Sequence, residues 1–278
     1  MKLAQLFSDF EEELIRQGEE AESLSFVYRS LKNLSFTDFV FTLQQEVTEE
    51  EKQFVKEIYQ QLAAHKPAQY IIGQADFFGM QLKVDERVLI PRPETEELIE
   101  LILDENPETN LSVLDIGTGS GAIALALAKN RPNWSVVAAD ISQDALDLAS
   151  ENAKNQKLNI FFKKSDCFAE ISEKYDIIVS NPPYISREDE SEVGLNVLHS
   201  EPHLALFADE DGLAIYRRIA EDATDYLKDG GKIYLEIGYK QGQSVPELFR
   251  KYLPEKRVRT LKDQFSQDRM VVVDDGQD

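Results

Sequence analysis

The sequence predicts an α/β protein: a mostly parallel sheet layered with helices, preceded by a small helical bundle and a β-hairpin. Three observations carry this expectation. From residue 111 onward, apolar strand runs alternate with helical stretches. Residues 1–75 show helical periodicity instead, and between the two parts Phe77-Phe78-Gly79 leads into alternating Met80, Leu82 and Val84. Strand and helix in alternation imply parallel strands joined by crossover helices, whereas period-two alternation beside a glycine turn implies a hairpin.

In the bundle, Leu24, Val27, Tyr28 and Leu31, then Phe54, Val55, Ile58, Tyr59 and Leu62, fall at spacings that place apolar groups on one helix face. Ser35 ahead of residues 36–43, and Thr48 with Glu51 three residues on, supply helix starts in which a hydroxyl accepts from a backbone amide. The expected boundaries are 1–75 for the bundle, 76–92 for a β-hairpin linker and 93–278 for the α/β domain. Strands are expected at 112–116, 134–139, 160–163, 175–180 and 232–237. Helices are expected to about residue 130, from 142, over 213–227 and over 246–252. Residues 257–261 and 269–273 have no helix between them and are expected to pair antiparallel at the sheet edge.

A chain of 278 residues, 42% hydrophobic and 29% charged, has the composition of a globular protein of one or two domains. The apolar runs 122–128 and 177–179 fall far short of the roughly 18 residues of a membrane span, so no membrane partner is expected. The start Met1-Lys2-Leu3 leads into acidic Glu11-Glu12-Glu13 rather than the apolar run of a secretory signal, and a cytoplasmic location is the expectation. Cys167 is the single cysteine, which excludes an internal disulfide and a multi-cysteine metal site. A formal net charge of −22 opposes a polyanionic partner, because phosphate backbones are held by Lys and Arg. No direct nucleic-acid partner is therefore expected, and a monomer is.

Gly117-Thr118-Gly119-Ser120-Gly121-Ala122 follows a strand and opens a helix, a context in which glycines let the backbone approach a ligand. Asp140 ends the next strand, about twenty residues on, where a carboxylate can accept hydrogen bonds from ribose hydroxyls. Asp115, at the carboxyl end of the first strand, suits the amino-acid end of a cofactor. Gly117, Gly119 and Ala122 also satisfy the dinucleotide spacing, so this turn alone leaves a nicotinamide cofactor and S-adenosylmethionine both open.

The strand run 175–180 ends abruptly in Asn181-Pro182-Pro183-Tyr184. Two prolines stiffen the main chain and remove two donors, leaving the Asn181 side-chain oxygen and the Pro182 carbonyl as acceptors for both hydrogens of a substrate NH2 group. An amide-type nitrogen is a weak nucleophile, and acceptors aimed at the charge developing on it favour the transition state over the planar ground state. Tyr184 offers an aromatic wall for a planar group or a methyl sulfonium. The glycine turn and this segment together point to methyl transfer from S-adenosylmethionine to a planar nitrogen.

At these residues the chain resembles the release factor glutamine methyltransferases, and the likeness covers nearly its whole length. Besides residues 115–122 and 181–185 it includes Gln69-Tyr70-Ile71-Ile72-Gly73, residues 89–96, residues 201–207, Asp211-Gly212-Leu213 and Tyr216-Arg217. The resemblance implies a Rossmann-like, seven-stranded class I methyltransferase domain behind a helical domain that helps dock class-1 peptide chain release factors. It implies transfer from S-adenosyl-L-methionine to the glutamine of their Gly-Gly-Gln loop, with S-adenosyl-L-homocysteine as the other product. By analogy Gly117, Thr118, Gly119, Ser120, Gly121 and Asp140 hold the cofactor, helped by Asp115 and Asn181, while Asp166 and Cys167 border its adenine. Asn181, Pro182, Pro183 and Tyr184 bind the glutamine amide, with Asn181, Pro182 and Tyr184 catalytic. Cys167 departs from the larger apolar or aromatic residue of many relatives.

Adenine-amino methyltransferases of nucleic acids share mainly the first two motifs and are the first alternative, opposed by the acidic charge. A binding module without turnover and a nicotinamide oxidoreductase are the others. Arg92, between Pro91 and Pro93, reads either as ordering the site's rim or as a solvated linker residue. Glu94, Glu96 and Glu97 read as the acidic first turn of a helix, and Glu236 as structural. His199, Glu201 and His203 lack the further ligands that a metal needs.

Overall fold

The computed structural model describes residues 1–276, which divide into two compact units, Met1–Gln74 with Val193–Glu201, and Ala75–Glu192 with the described residues from Pro202 onward. The expected domain at 93–278 thus lacks residues 193–201, which group with the first unit. No described helix is long and apolar enough to cross a membrane.

The first unit holds α1 (Leu3–Arg16), α2 (Glu22–Lys32), α3 (Phe36–Leu43), α4 (Glu49–Ala63) and α5 (Ala68–Ile72). Ser35 and Thr48 cap α3 and α4 by accepting from the amides of Asp38 and Glu51, each at 3.1 Å. Leu6, Phe7, Leu24, Tyr28, Val55 and Ile58 form the buried centre, with the Phe7 ring edge-on to Tyr28 at 5.2 Å. Leu31 is instead 43% exposed, because the buried face of α2 ends with Tyr28. From the inserted stretch, α9 (Leu195–Ser200) returns to this unit, where the Ser200 hydroxyl donates to the His65 carbonyl at 3.1 Å.

At the start of the second unit β1 (Gln74–Phe77), whose first residue still groups with the first unit, and β2 (Met80–Lys83) are joined through Phe78 and Gly79 at φ +46° and +67°, the paired positive values of a tight hairpin turn. Phe77, Met80 and Leu82 are buried with the helices of one sheet face, so the expected linker is part of this unit's core. Then come α6 (Pro93–Glu105), β3 (Ser112–Ile116), α7 (Ala122–Asn130), β4 (Ser135–Asp140), α8 (Gln143–Gln156), β5 (Phe161–Lys164) and β6 (Tyr175–Ser180). Two short pieces, α10 (His203–Leu206) and α11 (Asp209–Gly212), precede α12 (Ala214–Tyr226). The chain ends in β7 (Leu227–Glu236), α13 (Ser244–Tyr252), β8 (Arg257–Lys262) and β9 (Asp268–Asp274).

Among the described residues β1 and β2 form a sheet of their own, and the other seven strands form the main sheet in the order β5-β4-β3-β6-β7-β9-β8. The first five are mutually parallel, β9 runs antiparallel to β7, and β8 closes the edge antiparallel to β9. Alternate residues face opposite layers: Val113, Ile177 and Tyr234 pack with α6 and α7, while Leu114, Ile178 and Ile233 pack with α12 and α13. Burial on both faces explains the near-continuous apolar strands.

Asn152 of α8 ties the hairpin to the glycine turn. It is 1% exposed, accepts from the Lys83 amide at 2.7 Å and donates to the carbonyls of Lys83 at 3.0 Å and Ser120 at 2.9 Å. Asn152→Ala leaves these backbone groups without their partner, which costs about 1–3 kcal/mol per unsatisfied group. We expect it to lower the unfolding free energy by on the order of 3 kcal/mol in urea titration, with the slope of the transition unchanged.

Candidate active site

The strands of the second unit end in register. Ile116 pairs with Ala139 on one side and with Ser180 on the other, and Ser180 pairs with Leu235. Asp140, Gly117, Asn181 and Glu236 therefore stand in one row at the carboxyl edge of β4, β3, β6 and β7. The chain runs from β3 outward to β5 and then returns to place β6 on the other side of β3, so the row crosses the switch point where open sheets bind ligands.

The glycine turn is held by main chain. The Ala139 carbonyl accepts the amides of Gly117 at 2.9 Å and Thr118 at 3.0 Å, and the Asp140 carboxylate accepts those of Gly119 and Ser142, each at 2.9 Å. Gly121 caps α7 at φ +83°, where an added Cβ would stand 2.9 Å from Leu125 Cδ1 and 3.2 Å from Ala149 Cβ. Backbone conformation and close helix packing both demand glycine there.

A cavity of about 380 Å³ opens at this edge within the second unit. Gly117, Thr118, Gly119, Ser120, Asp140, Asp166, Cys167, Asn181, Pro182 and Pro183 all line it. Asp115, Gly121 and Tyr184 do not. Asp115 is fully buried beneath the turn, accepting the Thr118 hydroxyl at 2.7 Å, while its Oδ1 lacks a well-formed hydrogen bond. Burial pushes its carboxyl up to about 7, against the partial offset of the Thr118 hydroxyl and the Ala124 amide. Burial also raises Asp140, offset by the amides of Ser142, Gly119 and Ile141.

The ring of Tyr184, expected as a wall of the site, packs instead beside Gly238, where an added Cβ would lie 3.1 Å from its Cδ2. The backbone here is held tightly: the Tyr184 carbonyl accepts from Gln241 Nε2 at 3.2 Å, and an added Cβ on Gly212 would come within 2.1 Å of it. Two bonds between strand-like segments, the Ile185 amide to the Leu206 carbonyl and the Ala208 amide to the Ile185 carbonyl, each 3.0 Å, fasten the chain just past Tyr184. The proline segment is thus anchored from both ends.

Asp166 is paired with Arg218 of α12 at 2.6 Å. Cys167 sits at φ +50° with its carbonyl accepting the Ser165 hydroxyl at 2.8 Å, and burial pushes its thiol up to about 11. It is a neutral wall group. Arg92 lines the cavity. Glu96 accepts the Phe78 amide at 2.7 Å and Glu97 accepts the Gln264 amide at 3.1 Å, so these two carboxylates brace loops.

Sequence reasoning missed Thr95. The Asn181 amide donates to Thr95 Oγ1 at 3.2 Å, and the Thr95 hydroxyl donates to Glu236 at 2.6 Å. The available signals were a threonine in an otherwise acidic first turn and a glutamate ending an apolar strand.

Two family models match: the PrmC N-terminal domain over residues 5–73 and the Methyltransferase small domain over residues 95–205. A release factor glutamine methyltransferase of Streptococcus pneumoniae is 91% identical, with 100% of both chains covered. One of Lactococcus lactis is 50% identical over 92% of this chain and 94% of its own. Among solved structures, a methyltransferase from Pyrococcus furiosus superposes with a TM-score of 0.55 at 19% identity, covering 81% of this chain and 98% of its own, a likeness of fold.

The raised Asp115 carboxyl sets a pH test. A carboxyl at about 7 in the folded state and near 4 when unfolded gives stability that is full below the lower value and lost as pH rises through the upper. Melting temperature should therefore fall less between pH 5 and pH 8 in Asp115→Asn than in the unaltered chain, by about 2–4 °C for each kcal/mol removed. Parallel melting curves for the two proteins would contradict this.

Proposed function

Since the chain belongs to the release factor glutamine methyltransferase family, we propose that it transfers a methyl group from S-adenosyl-L-methionine to the side-chain amide nitrogen of the glutamine in the Gly-Gly-Gln loop of class-1 peptide chain release factors. S-adenosyl-L-homocysteine is the other product. One observation carries the reading: the glycine turn and the Asn-Pro-Pro segment leave neighbouring strands at the same level and line one cavity.

The residues suit the cofactor. Gly117 and Gly119 present bare backbone with no Cβ, and Asp140, although each oxygen already accepts an amide, keeps lone pairs for ribose hydroxyls. Asp166 and Cys167 border the adenine, while Asp115 and Gly121 act from beneath by shaping the turn. Bound there, the cofactor supplies an electrophilic methyl on a sulfonium.

The chain's own residues do the rest. Asn181 Oδ1 and the Pro182 carbonyl take the two hydrogens of the glutamine amide and hold its nitrogen in line. As the nitrogen pyramidalises and gains positive charge these acceptors bind it more strongly, which lowers the barrier. Positioning replaces base catalysis, because the alkylated nitrogen gives up its proton readily. Pro183 stiffens the segment, and Tyr184 contributes through its pinned backbone rather than as a wall. The helical unit docks the protein substrate, supported by the match over residues 5–73 and by exposed Phe36, Val40 and Phe41 on α3. We place the reaction in the cytoplasm.

Mass spectrometry of the Gly-Gly-Gln peptide, after incubating release factor and cofactor with and without this protein, tests the reading. The glutamine should gain one methyl group only when the protein is present. Asn181→Ala should slow transfer roughly 10²–10³-fold while leaving cofactor affinity nearly unchanged. Methyl transfer confined to added DNA or RNA would overturn the substrate assignment.

A further inference from the structure

Glu236 is 2% exposed and stands one residue beyond Leu235, the register partner of Ser180. That puts it level with Asn181. Its Oε2 accepts the Thr95 hydroxyl at 2.6 Å, and Thr95 Oγ1 accepts the Asn181 amide at 3.2 Å. A hydroxyl has a single hydrogen to give. While a carboxylate takes that hydrogen, the Thr95 oxygen can only accept, so it selects the NH2 end of the Asn181 carboxamide. The two ends of a carboxamide are nearly the same size, and hydrogen bonding decides which way it faces. With its nitrogen committed to Thr95, Asn181 turns its oxygen the other way.

We propose that Glu236, acting through Thr95, sets the hydrogen-bond polarity of Asn181 and is a positioning residue for amide methylation. The inference rests on reading Asn181 as the acceptor for the substrate amide, and goes beyond it by naming what keeps an acceptor there.

The polarity has a pH limit. Burial pushes the Glu236 carboxyl up to about 7, against the offset of the Thr95 hydroxyl, the Arg269 guanidinium and the Asn181 amide, with Glu94 opposing. Tyr184 and Tyr216 also face it, and the Tyr216 hydroxyl donates to the Glu236 backbone carbonyl at 2.7 Å. Once protonated, Glu236 can donate to Thr95, which frees the Thr95 hydrogen for Asn181. The carboxamide can then rotate and turn its NH2 towards the substrate's own NH2, donor against donor.

Single-turnover methylation of a release factor by the full-length protein, at saturating cofactor and across pH 5.5–8.5, tests this. The unaltered chain should lose rate as pH falls through about 7. Glu236→Gln makes both orientations of Asn181 available, so the rate at pH 8 should drop about tenfold or more and the acid limb should flatten. Cofactor affinity by titration should stay close to that of the unaltered chain, and the melting temperature of Glu236→Gln at pH 8 should not fall below it, because the buried carboxyl that ionises near pH 7 is gone. Thr95→Val should reproduce the loss, and Thr95→Ser should restore the rate. If Glu236→Gln keeps the full rate and the same acid limb, the relay is wrong. It is equally wrong if rate, cofactor affinity and melting temperature fall together in Glu236→Gln and Thr95→Val. Failure of the unaltered chain to methylate the glutamine would instead overturn the functional reading, and the relay with it.

Discussion

Ladder hydrogen bonds hold Ala139, Ile116, Ser180 and Leu235 side by side at the ends of four neighbouring parallel strands. Of the next residues on each strand, Asp140, Gly117 and Asn181 line the cavity, and Glu236 is linked to Asn181 through Thr95. A slip of one residue in any strand would exchange its two faces, and both faces are packed with apolar side chains, so the register is fixed by the core. Groups spread over more than a hundred residues of chain are thereby aligned without any long loop having to find its place. The sheet acts as a ruler, and the cavity opens along its edge.

Above that edge the site relies on main chain and buried polar groups. Amides of Gly117, Thr118 and Gly119 are already bonded to β4 and Asp140, which leaves a turn with little freedom. The same compactness places carboxyl groups where water cannot reach them, and burial raises both Asp115 and Glu236 to about 7. Carboxylates in such places weaken the fold as they ionise, a local conflict of the kind found where proteins sacrifice stability for a working arrangement.

The layered sheet, the helical unit, the hairpin and the turn were legible because each arises from local pattern: period, caps, and glycine between strand and helix. The antiparallel pair at the carboxyl end was legible too, although β9 lies inside the sheet and only β8 of the two is an edge strand. Less visible was the irregular stretch between β6 and α12, whose short helical turns lack any sustained period. Of the site, residues that touch the cavity through backbone or a short side chain were found from their motifs. Thr95 and Asn152 were not, since their partners are 86 and 69 residues away and only the folded register brings them together. Tyr184 and Asp115 were named too, yet neither lines the cavity, because a motif gives position along the chain and not the direction in which a side chain turns.

The stretch Val193–Glu201 leaves one unit and returns to it after nine residues, having added a helix to the other. The two units are consequently unequal when parted. A fragment ending at Gln74 would lack α9 and the Ser200 bond to the His65 carbonyl, so the bundle is incomplete as a continuous piece of chain. Should the bundle melt, the second unit would keep only a short slack loop between Glu192 and Pro202, whose closure costs little entropy. Severing the chain at its obvious seam thus maims the smaller partner and spares the larger.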